Sequence, residues 1–217
     1  QALAWSQGHI AGAEAIVTIV EAAMALGIKV LTIFGFSTEN LQKRSKMEVD
    51  HLTKIIAEYL EKYREKLLHN GIRLRAIGNL EALPPFLRYG VEKTAERTAH
   101  CSNFELVLAL NYGGRDEICR AIKRMAVDLV DKKISPDTIC EESLRPYLDT
   151  GDLPDPDLLI RTSGEKRISN FLLWQSSYSE VFIDDVTWPE FTPHHLLGAV
   201  CDFQQRDRRK GGGEAST

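Results

Sequence analysis

The sequence predicts a single α/β domain with a mostly parallel central sheet flanked by helices. Apolar runs of strand length alternate along the chain with amphipathic segments of helix length, and this alternation is typical of a parallel sheet built from right-handed crossovers. The first such run, Ile28–Phe36, is almost continuously apolar, as expected for a strand that is covered on both faces. We assign residues 1–210 to the domain and residues 211–217, which begin with three glycines, to a flexible tail.

The individual elements follow from periodicity, taken in chain order. Gly12–Leu26 carries apolar residues at helical spacing and is followed by Gly27, a residue suited to ending a helix. A polar segment after the first strand leads into a long amphipathic helix at about Val49–Asn70. Ile72–Ala76 alternates apolar residues with arginines, which indicates a second strand. Further helices are predicted at Phe86–His100, Arg115–Leu129 and Pro193–Gln205, and further strands at Phe104–Leu110, Leu158–Ile160 and Val181–Ile183.

Composition and charge argue against several broad classes of protein. With 43% hydrophobic and 27% charged residues, the chain has the composition of an ordinary globular domain. The formal net charge of −4 argues against a general nucleic-acid binder, because such domains are usually basic. The four cysteines lack CxxC spacing, so we expect buried thiols in a reducing compartment. We find no apolar run of the roughly 18 residues that a membrane span needs, and no signal peptide.

Three polar loops follow predicted strands, at residues 37–44, 111–115 and 161–169. In a parallel sheet, ligands bind outside the carboxyl ends of the strands. We therefore expect the functional site to be built from these three loops.

The loop at 161–169 is the strongest candidate for an anion site. Arg161 and Arg167 lie at the end of a buried strand with Gly164 between them and Ser169 beyond. Guanidinium groups match phosphate oxygens two at a time, and the glycine lets the backbone approach a ligand closely. The ligand could be phosphate, diphosphate or carboxylate, and the alternative is a solvated surface loop with incidental charge.

Glu180 is a carboxylate directly before an apolar run. A carboxylate beside apolar residues needs a partner or a cation. Next to a diphosphate site the natural cation is Mg²⁺, which takes one or two carboxylates together with phosphate oxygens. The alternative is a structural salt bridge.

Ser37 and Asn40 follow the first strand, and Arg44 lies just beyond them. Ser37 and Asn40 either cap the next helix or hold a substrate oxygen and shuttle a proton, and Arg44 could add a third guanidinium.

His9 precedes the first predicted helix, where it is either structural or a donor to a phosphate oxygen. A basic run from Arg206 to Lys210 is either solvated or reaches across a dimer interface.

The apolar residues of Gly12–Leu26 and of Val49–Tyr63 also have two interpretations. They are core residues in the simplest case, and they line a tunnel if the site holds a long hydrocarbon. Periodicity does not separate these two interpretations.

Several stretches, in one consistent order, resemble a known protein family. They are FSTEN (Phe36–Asn40), RAIGNL (Arg75–Leu80), LNYGGRDEI (Leu110–Ile118), PDLLIRTSGEKRISNFLLWQ (Pro156–Gln175), WPEF (Trp188–Phe191) and QQRDRRKGG (Gln204–Gly212). Together they resemble the cis-prenyltransferases, which include undecaprenyl and dehydrodolichyl diphosphate synthases. The chain is most similar to the bacterial and plastid branch of that family.

The resemblance implies a homodimer, an apolar tunnel, Mg²⁺ as cofactor, and condensation of an allylic diphosphate with isopentenyl diphosphate to give a Z double bond. Fixed guanidiniums and Mg²⁺ would stabilise the charge that develops on the leaving diphosphate. Carried over position by position, the resemblance implies that Arg161, Arg167 and Ser169 bind isopentenyl diphosphate and that Glu180 binds the metal. It implies catalytic roles for Ser37 and Asn40, in substrate positioning and proton removal, and for His9 beside the allylic diphosphate. Arg44 would lie near the diphosphates, and Arg209 and Gly211 would reach the partner subunit's site.

Two features depart from the family pattern. The family's first strand and its Asp-Gly-Asn-x-Arg-Trp motif, whose Asp binds Mg²⁺, would by register precede Gln1. The aromatic residue that usually follows FSTEN is replaced by Leu41-Gln42. These changes in the N-terminal part of the family pattern are compatible with irregular head-to-middle coupling of two dimethylallyl diphosphates, as in lavandulyl diphosphate synthases. A non-catalytic partner subunit is the remaining alternative, although such subunits tend to lose the diphosphate-binding residues that this chain retains.

The expected partners are isoprenoid diphosphates and a second copy of the chain, with no nucleic acid. A long polyprenyl product would bring peripheral contact with a membrane. We expect the protein in the cytoplasm or the plastid stroma.

Overall fold

A computed structural model describes the backbone of residues 2–208 and the side chains of residues 8–208. The predictions for Arg209 and Gly211 and for the tail at 211–217 lie outside the described residues. The longer helices are α1 (Ala2–Ala25), α3 (Lys46–His69), α4 (Pro85–Thr98), α5 (Gly114–Val130) and α7 (Pro193–Gln204), and the shorter ones are α2 (Thr38–Lys43) and α6 (Glu141–Leu144). The strands are β1 (Val30–Ser37), β2 (Ile72–Ile77), β3 (Phe104–Tyr112), β4 (Leu158–Arg161) and β5 (Glu180–Ile183).

The described strands are parallel, which confirms the predicted α/β class. They form two sheets, one of three strands in the order β1-β3-β2 and one of two strands, β4-β5. Helices join the strands of the three-stranded sheet, as the alternating sequence pattern predicts, whereas turns without an assigned helix join β4 to β5.

A cavity of about 600 Å³ lies between the two sheets. Consecutive residues of β1 (Val30–Phe34) and of β4 (Leu158–Arg161) line it. Because successive side chains of a strand point to opposite faces, the cavity runs along the edges of these strands rather than across one face. The sheet is therefore divided at the point where β1 and β4 would otherwise meet.

The central strand β3 separates two layers of core. Leu106, Leu108 and Leu110 pack in the larger core cluster with residues of α1, α3 and α4. Val107 and Ala109 point to the opposite face and pack with Leu153 and Leu172 in a smaller cluster. Both faces of β3 are therefore covered, as the continuous apolar run in its sequence predicts.

Helix α1 differs most from its prediction, since it begins at Ala2 rather than Gly12. Its segment Gly8–Ala25 is long and apolar enough to cross a membrane by length and composition alone, contrary to our expectation that no such stretch exists. In the structure α1 contacts α3, α7 and the 3₁₀ turn Trp188–Glu190. Only 22% of the segment Gly8–Ala25 is buried, so this packing and the internal cavity that α1 helps to line account for part of its apolar composition.

The cysteines also depart from expectation. Cys101 is buried, whereas Cys119, Cys140 and Cys201 are exposed. All four are free thiols, which agrees with the predicted absence of a disulfide framework.

Candidate active site

The ends of β1, β3 and β4 carry the three loops that the sequence predicts as the site. Ser37 ends β1, Tyr112 ends β3 and Arg161 ends β4, and Ser37 and Tyr112 are register partners. Asn170 links the loops: its Nδ2 donates to Oε1 of Glu39 at 2.9 Å, and its Oδ1 accepts from the backbone N–H of Arg115 at 3.0 Å. The predicted assembly of these loops at one edge is therefore observed.

Ser37 and Asn40 form a capping box at the start of α2. The hydroxyl oxygen of Ser37 accepts from the backbone N–H of Asn40 at 3.1 Å, and Oδ1 of Asn40 accepts from the backbone N–H of Ser37 at 3.1 Å. The capping alternative is thus what the structure contains. A capping box leaves the amide Nδ2 of Asn40 uncommitted to the cap, so the substrate-positioning role of both residues stays a prediction.

His9 lies inside α1 and not before the first helix, because α1 begins at Ala2. The argument that placed His9 near a helix N-terminus is therefore wrong. Burial lowers the pKa of His9, and the positive charge of Arg44 lowers it further, as does His51. The ring of His9 lies 6.5 Å from the ring of His51, centroid to centroid. The structure thus brings the predicted residues His9 and Arg44 together.

Sequence reasoning missed two members of this cluster, His51 and Glu48. Both lie on α3 at a spacing of three residues, which places them on one helix face. Glu48 opposes the lowering of the His9 pKa, since its carboxylate favours the charged ring. The helical spacing was a usable signal, but nothing in the sequence indicated that this face meets His9.

Arg161 is half-buried at the end of β4, and its Nε is buried without a hydrogen-bond partner among the described residues. A buried guanidinium N–H that lacks a partner is costly unless a ligand satisfies it. The loop beyond it is held by backbone bonds, from Ser163 to the carbonyl of Val186 at 2.7 Å and from Gly164 to that of Asp184 at 2.8 Å. Gly164 has a φ of +64°, a left-handed conformation that glycine adopts freely.

Arg167 and Ser169 lie further along the same loop. Arg167 is exposed and forms an ion pair with Glu165, and exposed pairs of this kind contribute at most about 1 kcal/mol, so an arriving anion can displace Glu165. Ser169 is half-buried with a φ of +50°, and no hydrogen bond to its hydroxyl is present in residues 8–208. Both side chains are therefore available to a ligand.

Glu180 lies at the opposite end of its sheet from Arg161. It begins β5, opposite Leu158 at the start of β4, whereas Arg161 ends β4. Its Oε2 pairs with Nη1 of Arg206 at 2.8 Å, with both side chains half-buried. This is the salt bridge that we considered as the alternative. The described residues include no group of three or more His, Cys, Asp or Glu side chains arranged to hold a metal ion. Mg²⁺ can take one or two carboxylates together with phosphate oxygens, so the metal role of Glu180 stays a prediction.

An apolar cavity of about 120 Å³ lies between the three-stranded sheet and the helices α1 and α3. At one end Gly35 and Leu110 lie near the carboxyl ends of β1 and β3, and at the other end Ile72 begins β2. Ile72 pairs with Phe104, six residues before Leu110 on β3, so the cavity follows the sheet for roughly 20 Å at about 3.3 Å per residue. The tunnel interpretation therefore holds for part of the apolar surface of α1 and α3, including Ile16, Val20, Ile56 and Tyr59.

A buried polar network, which was not predicted from the sequence, surrounds the side chain of the last residue of β3. Glu117, which is fully buried, accepts from the hydroxyl of Tyr112 at 2.5 Å and from the backbone N–H of Asp149 at 2.9 Å. Burial and the Glu117 carboxylate raise the pKa of Tyr112 well above its ordinary value. Gln175 joins the network by donating to Glu117 and to Thr150. The network fixes the strand end from which the second loop leaves.

Comparisons with known proteins find relatives that match nearly the whole chain. A family model described as "Putative undecaprenyl diphosphate synthase" matches residues 1–211. The isoprenyl transferase of Chlamydia abortus is 53% identical over 206 residues, which cover 95% of this chain and 82% of that protein. The isoprenyl transferase of Bacillus anthracis is 47% identical over 205 residues, covering 94% and 79%.

Two solved structures show the same fold. Lavandulyl diphosphate synthase from Lavandula x intermedia, in complex with dimethylallyl diphosphate, superposes with a TM-score of 0.91 at 34% identity and covers 94% of this chain and 87% of its own. A probable undecaprenyl diphosphate synthase from Campylobacter jejuni gives a TM-score of 0.82 at 36% identity, covering 93% and 92%. With a family model spanning nearly the whole chain and relatives at about half identity, the chain belongs to the undecaprenyl diphosphate synthase family of prenyltransferases.

Proposed function

We propose that this protein is a prenyl diphosphate synthase that extends an allylic diphosphate with isopentenyl diphosphate. The observation that carries the proposal is a pair of surfaces at the carboxyl ends of the parallel strands. At the end of β4, Arg161 offers a buried guanidinium N–H without a partner among the described residues, and the apolar cavity ends at Gly35 and Leu110, near the carboxyl ends of β1 and β3. An anion-binding group and an apolar channel at these strand ends match a substrate with a diphosphate head and a hydrocarbon tail.

The reaction forms one carbon–carbon bond and breaks one carbon–oxygen bond. The allylic C1–O bond breaks and the diphosphate leaves with the electron pair. The double bond of isopentenyl diphosphate attacks C1 through its C4, and a proton leaves C2 to form the new double bond. No external oxidant or reductant is needed.

The chain's own residues would bind both diphosphates and shield the reaction. Arg161, Arg167 and Ser169 would hold the diphosphate of isopentenyl diphosphate, since fixed guanidiniums stabilise phosphate charge with little reorganisation. His9, held largely neutral at pH 7 by its lowered pKa, would donate to the allylic diphosphate beside Arg44. Ser37 and Asn40 would position the carbon that loses its proton. The cavity would exclude water from the reacting carbons.

Mg²⁺ dependence is part of the proposal because the reaction releases a diphosphate. Mg²⁺ is usually held by phosphate oxygens and one or two carboxylates. Glu180, which is paired with Arg206 in the structure, is the carboxylate that the resemblance assigns to the metal. The family resemblance assigns a further metal ligand to the Asp of a first strand, and the cavity between β1 and β4 is a space in which a parallel strand could pair with both edges.

Chain elongation is favoured over irregular coupling. The chain is 53% identical to a chlamydial isoprenyl transferase but 34% identical to the lavandulyl diphosphate synthase. The residues after FSTEN, despite lacking the usual aromatic residue, form the regular helix α2. The replacement of the usual aromatic residue by Leu41-Gln42 therefore leaves a regular helix after β1.

We further propose that the protein is a homodimer and acts in a reducing compartment, the cytoplasm or a plastid stroma. Tyr178 and Val181 are exposed apolar side chains next to and within β5, and such residues are enriched in subunit interfaces. Four free thiols fit a reducing compartment. Size-exclusion chromatography with light scattering would measure the molar mass of the protein in solution. A monomer at micromolar concentration would contradict the dimer.

The test of the function is incubation of the full-length protein with Mg²⁺ and dimethylallyl diphosphate, with and without isopentenyl diphosphate, followed by mass spectrometry. A ladder of products that grows by isoprene units only with isopentenyl diphosphate supports elongation. A single branched product from dimethylallyl diphosphate alone would replace elongation by irregular coupling. Absence of any product would overturn the catalytic assignment in favour of a partner subunit.

A further inference from the structure

Asn170 contacts all three loops of the candidate site. It belongs to the loop after β4, its side-chain Nδ2 donates to Oε1 of Glu39 in the loop after β1, and its Oδ1 accepts from Arg115 after β3. Its backbone carbonyl also accepts from the N–H of Gly114 at 2.7 Å. One residue thus makes three hydrogen bonds that join loops far apart in sequence.

The chemistry of these contacts suits asparagine in particular. The two ends of the side chain meet opposite partners, a carboxylate and a backbone N–H, so an amide satisfies both at once. The backbone φ of Asn170 is +63°, a left-handed conformation that asparagine tolerates better than most residues. An aspartate would place two carboxylates in contact, and an alanine would satisfy neither partner.

The surroundings leave little room for rearrangement at this point. A Cβ atom on Gly113 would lie 2.7 Å from Nδ2 of Asn170 and 2.7 Å from Oγ1 of Thr38. Glycine at 113 is therefore what allows the second loop to approach the other two.

Hydrogen bonding of the Glu39 carboxylate to its own backbone N–H, and then to side chains including those of Ser37 and Asn170, lowers the pKa of Glu39. The acceptor of the Asn170 bond is thus charged at neutral pH, and bonds to charged acceptors are stronger than neutral ones.

The position of this junction relates it to the proposed ligand contacts. Asn170 directly follows Ser169, and Glu39 lies between Ser37 and Asn40 in the capped turn. The Asn170–Glu39 bond therefore joins the loop that would hold one diphosphate to the turn that would position the reacting carbon. We propose that Asn170 is a positioning residue that holds the diphosphate loop against the Ser37–Asn40 turn. This inference rests on the proposed function, but its anion-binding part can be tested separately.

The test compares Asn170→Asp with the double variant Asn170→Asp/Glu39→Gln in the full-length protein. The single change keeps the shape and the acceptor for Arg115 but removes the donor to Glu39 and adds repulsion. In the double variant the amide introduced at 39 can donate to the carboxylate introduced at 170, which restores the bond with its polarity reversed. Asn103→Asp is the matched control, because Nδ2 of Asn103 donates to the carbonyl of Asn70 at 3.1 Å outside the three loops.

Two readouts are measured: calorimetric binding of inorganic diphosphate, and KM and kcat with dimethylallyl and isopentenyl diphosphate. For Asn170→Asp we expect about tenfold weaker diphosphate binding and about a tenfold higher KM for isopentenyl diphosphate, the loss expected for one charge-assisted hydrogen bond. We expect the double variant to recover to within about threefold of the unmodified protein, with the control unchanged. Melting temperatures are recorded for every variant.

The proposal is overturned if Asn170→Asp binds diphosphate like the unmodified protein. It is also overturned if the double variant fails to recover binding while its melting temperature recovers, because the bond would then be structural only. Diphosphate binding that follows this pattern in a protein without prenyl product would retain Asn170 as the positioning residue and reject the proposed reaction. An unmodified protein that binds no diphosphate would overturn the inference itself.

Discussion

Glu21 of α1 and Lys66 of α3 form an ion pair, Oε1 to Nζ at 2.5 Å, at the end of the apolar cavity that lies away from the diphosphate loops. Both side chains are about half exposed, so the pair adds little to stability. Its charges nevertheless mark where the apolar lining stops. A hydrocarbon chain that grows past this point must desolvate them, which is unfavourable.

Product length should therefore depend on this ion pair. In the double variant Glu21→Gln/Lys66→Met we expect the longest product to gain at least one isoprene unit, with KM for isopentenyl diphosphate unchanged, because no diphosphate contact is altered. Mass spectrometry of the products measures the shift. Lys133→Met is the control, since Lys133 pairs with Asp128 and Asp131 away from the cavity. An unchanged product distribution in the double variant would show that something else limits the chain.

Diphosphate binding should depend on the guanidinium fork of Arg161. We expect Arg161→Ala to raise KM for isopentenyl diphosphate by about ten- to a hundredfold, the effect of losing hydrogen bonds to a charged group. Arg161→Lys should recover only part of the loss, because lysine lacks the planar fork. Steady-state kinetics compares these with Arg88→Ala, which removes an exposed pair with Glu92 on α4. Equal KM values in Arg161→Ala and Arg88→Ala would remove Arg161 from the site.

Stability should fall with pH partly because of His9. Burial, followed by Arg44 and His51, lowers the pKa of His9 below its unfolded value of 6.5. The unfolded chain therefore binds the proton more readily, and stability that is present above pH 6.5 is lost as the pH falls towards the folded pKa. His9→Gln should reduce the drop in melting temperature between about pH 7.5 and about pH 5.5. The exposed His100 supplies the control variant His100→Gln, and an identical drop in the protein with and without His9 would contradict this account.

Tyr112 should matter for stability more than its single hydrogen bond suggests. Tyr112→Phe removes the donor to the fully buried Glu117 and leaves a carboxylate with fewer partners, so we expect a loss of about 1–3 kcal/mol in the free energy of unfolding. Urea titration measures it. Tyr147→Phe is the comparison, because the hydroxyl of Tyr147 donates at 2.8 Å to Asp128 at the surface. Equal losses in the two variants would mean that the buried network adds nothing specific.

The strands and long helices were predictable because their signals are local. The sequence predicts a strand at Ile28–Phe36 and the structure has Val30–Ser37; it predicts a helix at Arg115–Leu129 and the structure has Gly114–Val130. The start of α1 was misplaced because the sequence before Gly12 lacks a clear apolar period. The strand order is not predictable from periodicity, because it depends on contacts that periodicity does not contain.

The site was predictable in its residue types but not in its pairings. Position in the sequence correctly predicts that Ser37 and Arg161 lie at the carboxyl ends of parallel strands, β1 and β4. The partner of Glu180 is Arg206, 26 residues later in sequence, and the partner of Asn170 is Glu39, 131 residues earlier. Contacts over such separations are set by the fold. The local sequence therefore predicts which side chains of the site are charged or polar, but not which residues they pair with.

The cavity between β1 and β4 also has a consequence for the loops of the site. The edge of a strand presents a row of N–H and C=O groups that can pair with another strand. Two parallel edges border this cavity, so an extended segment lying between them could pair with both and join the two sheets. Such pairing would fix the ends of β1 and β4 relative to each other, and with them the loops that begin at Ser37 and Arg161.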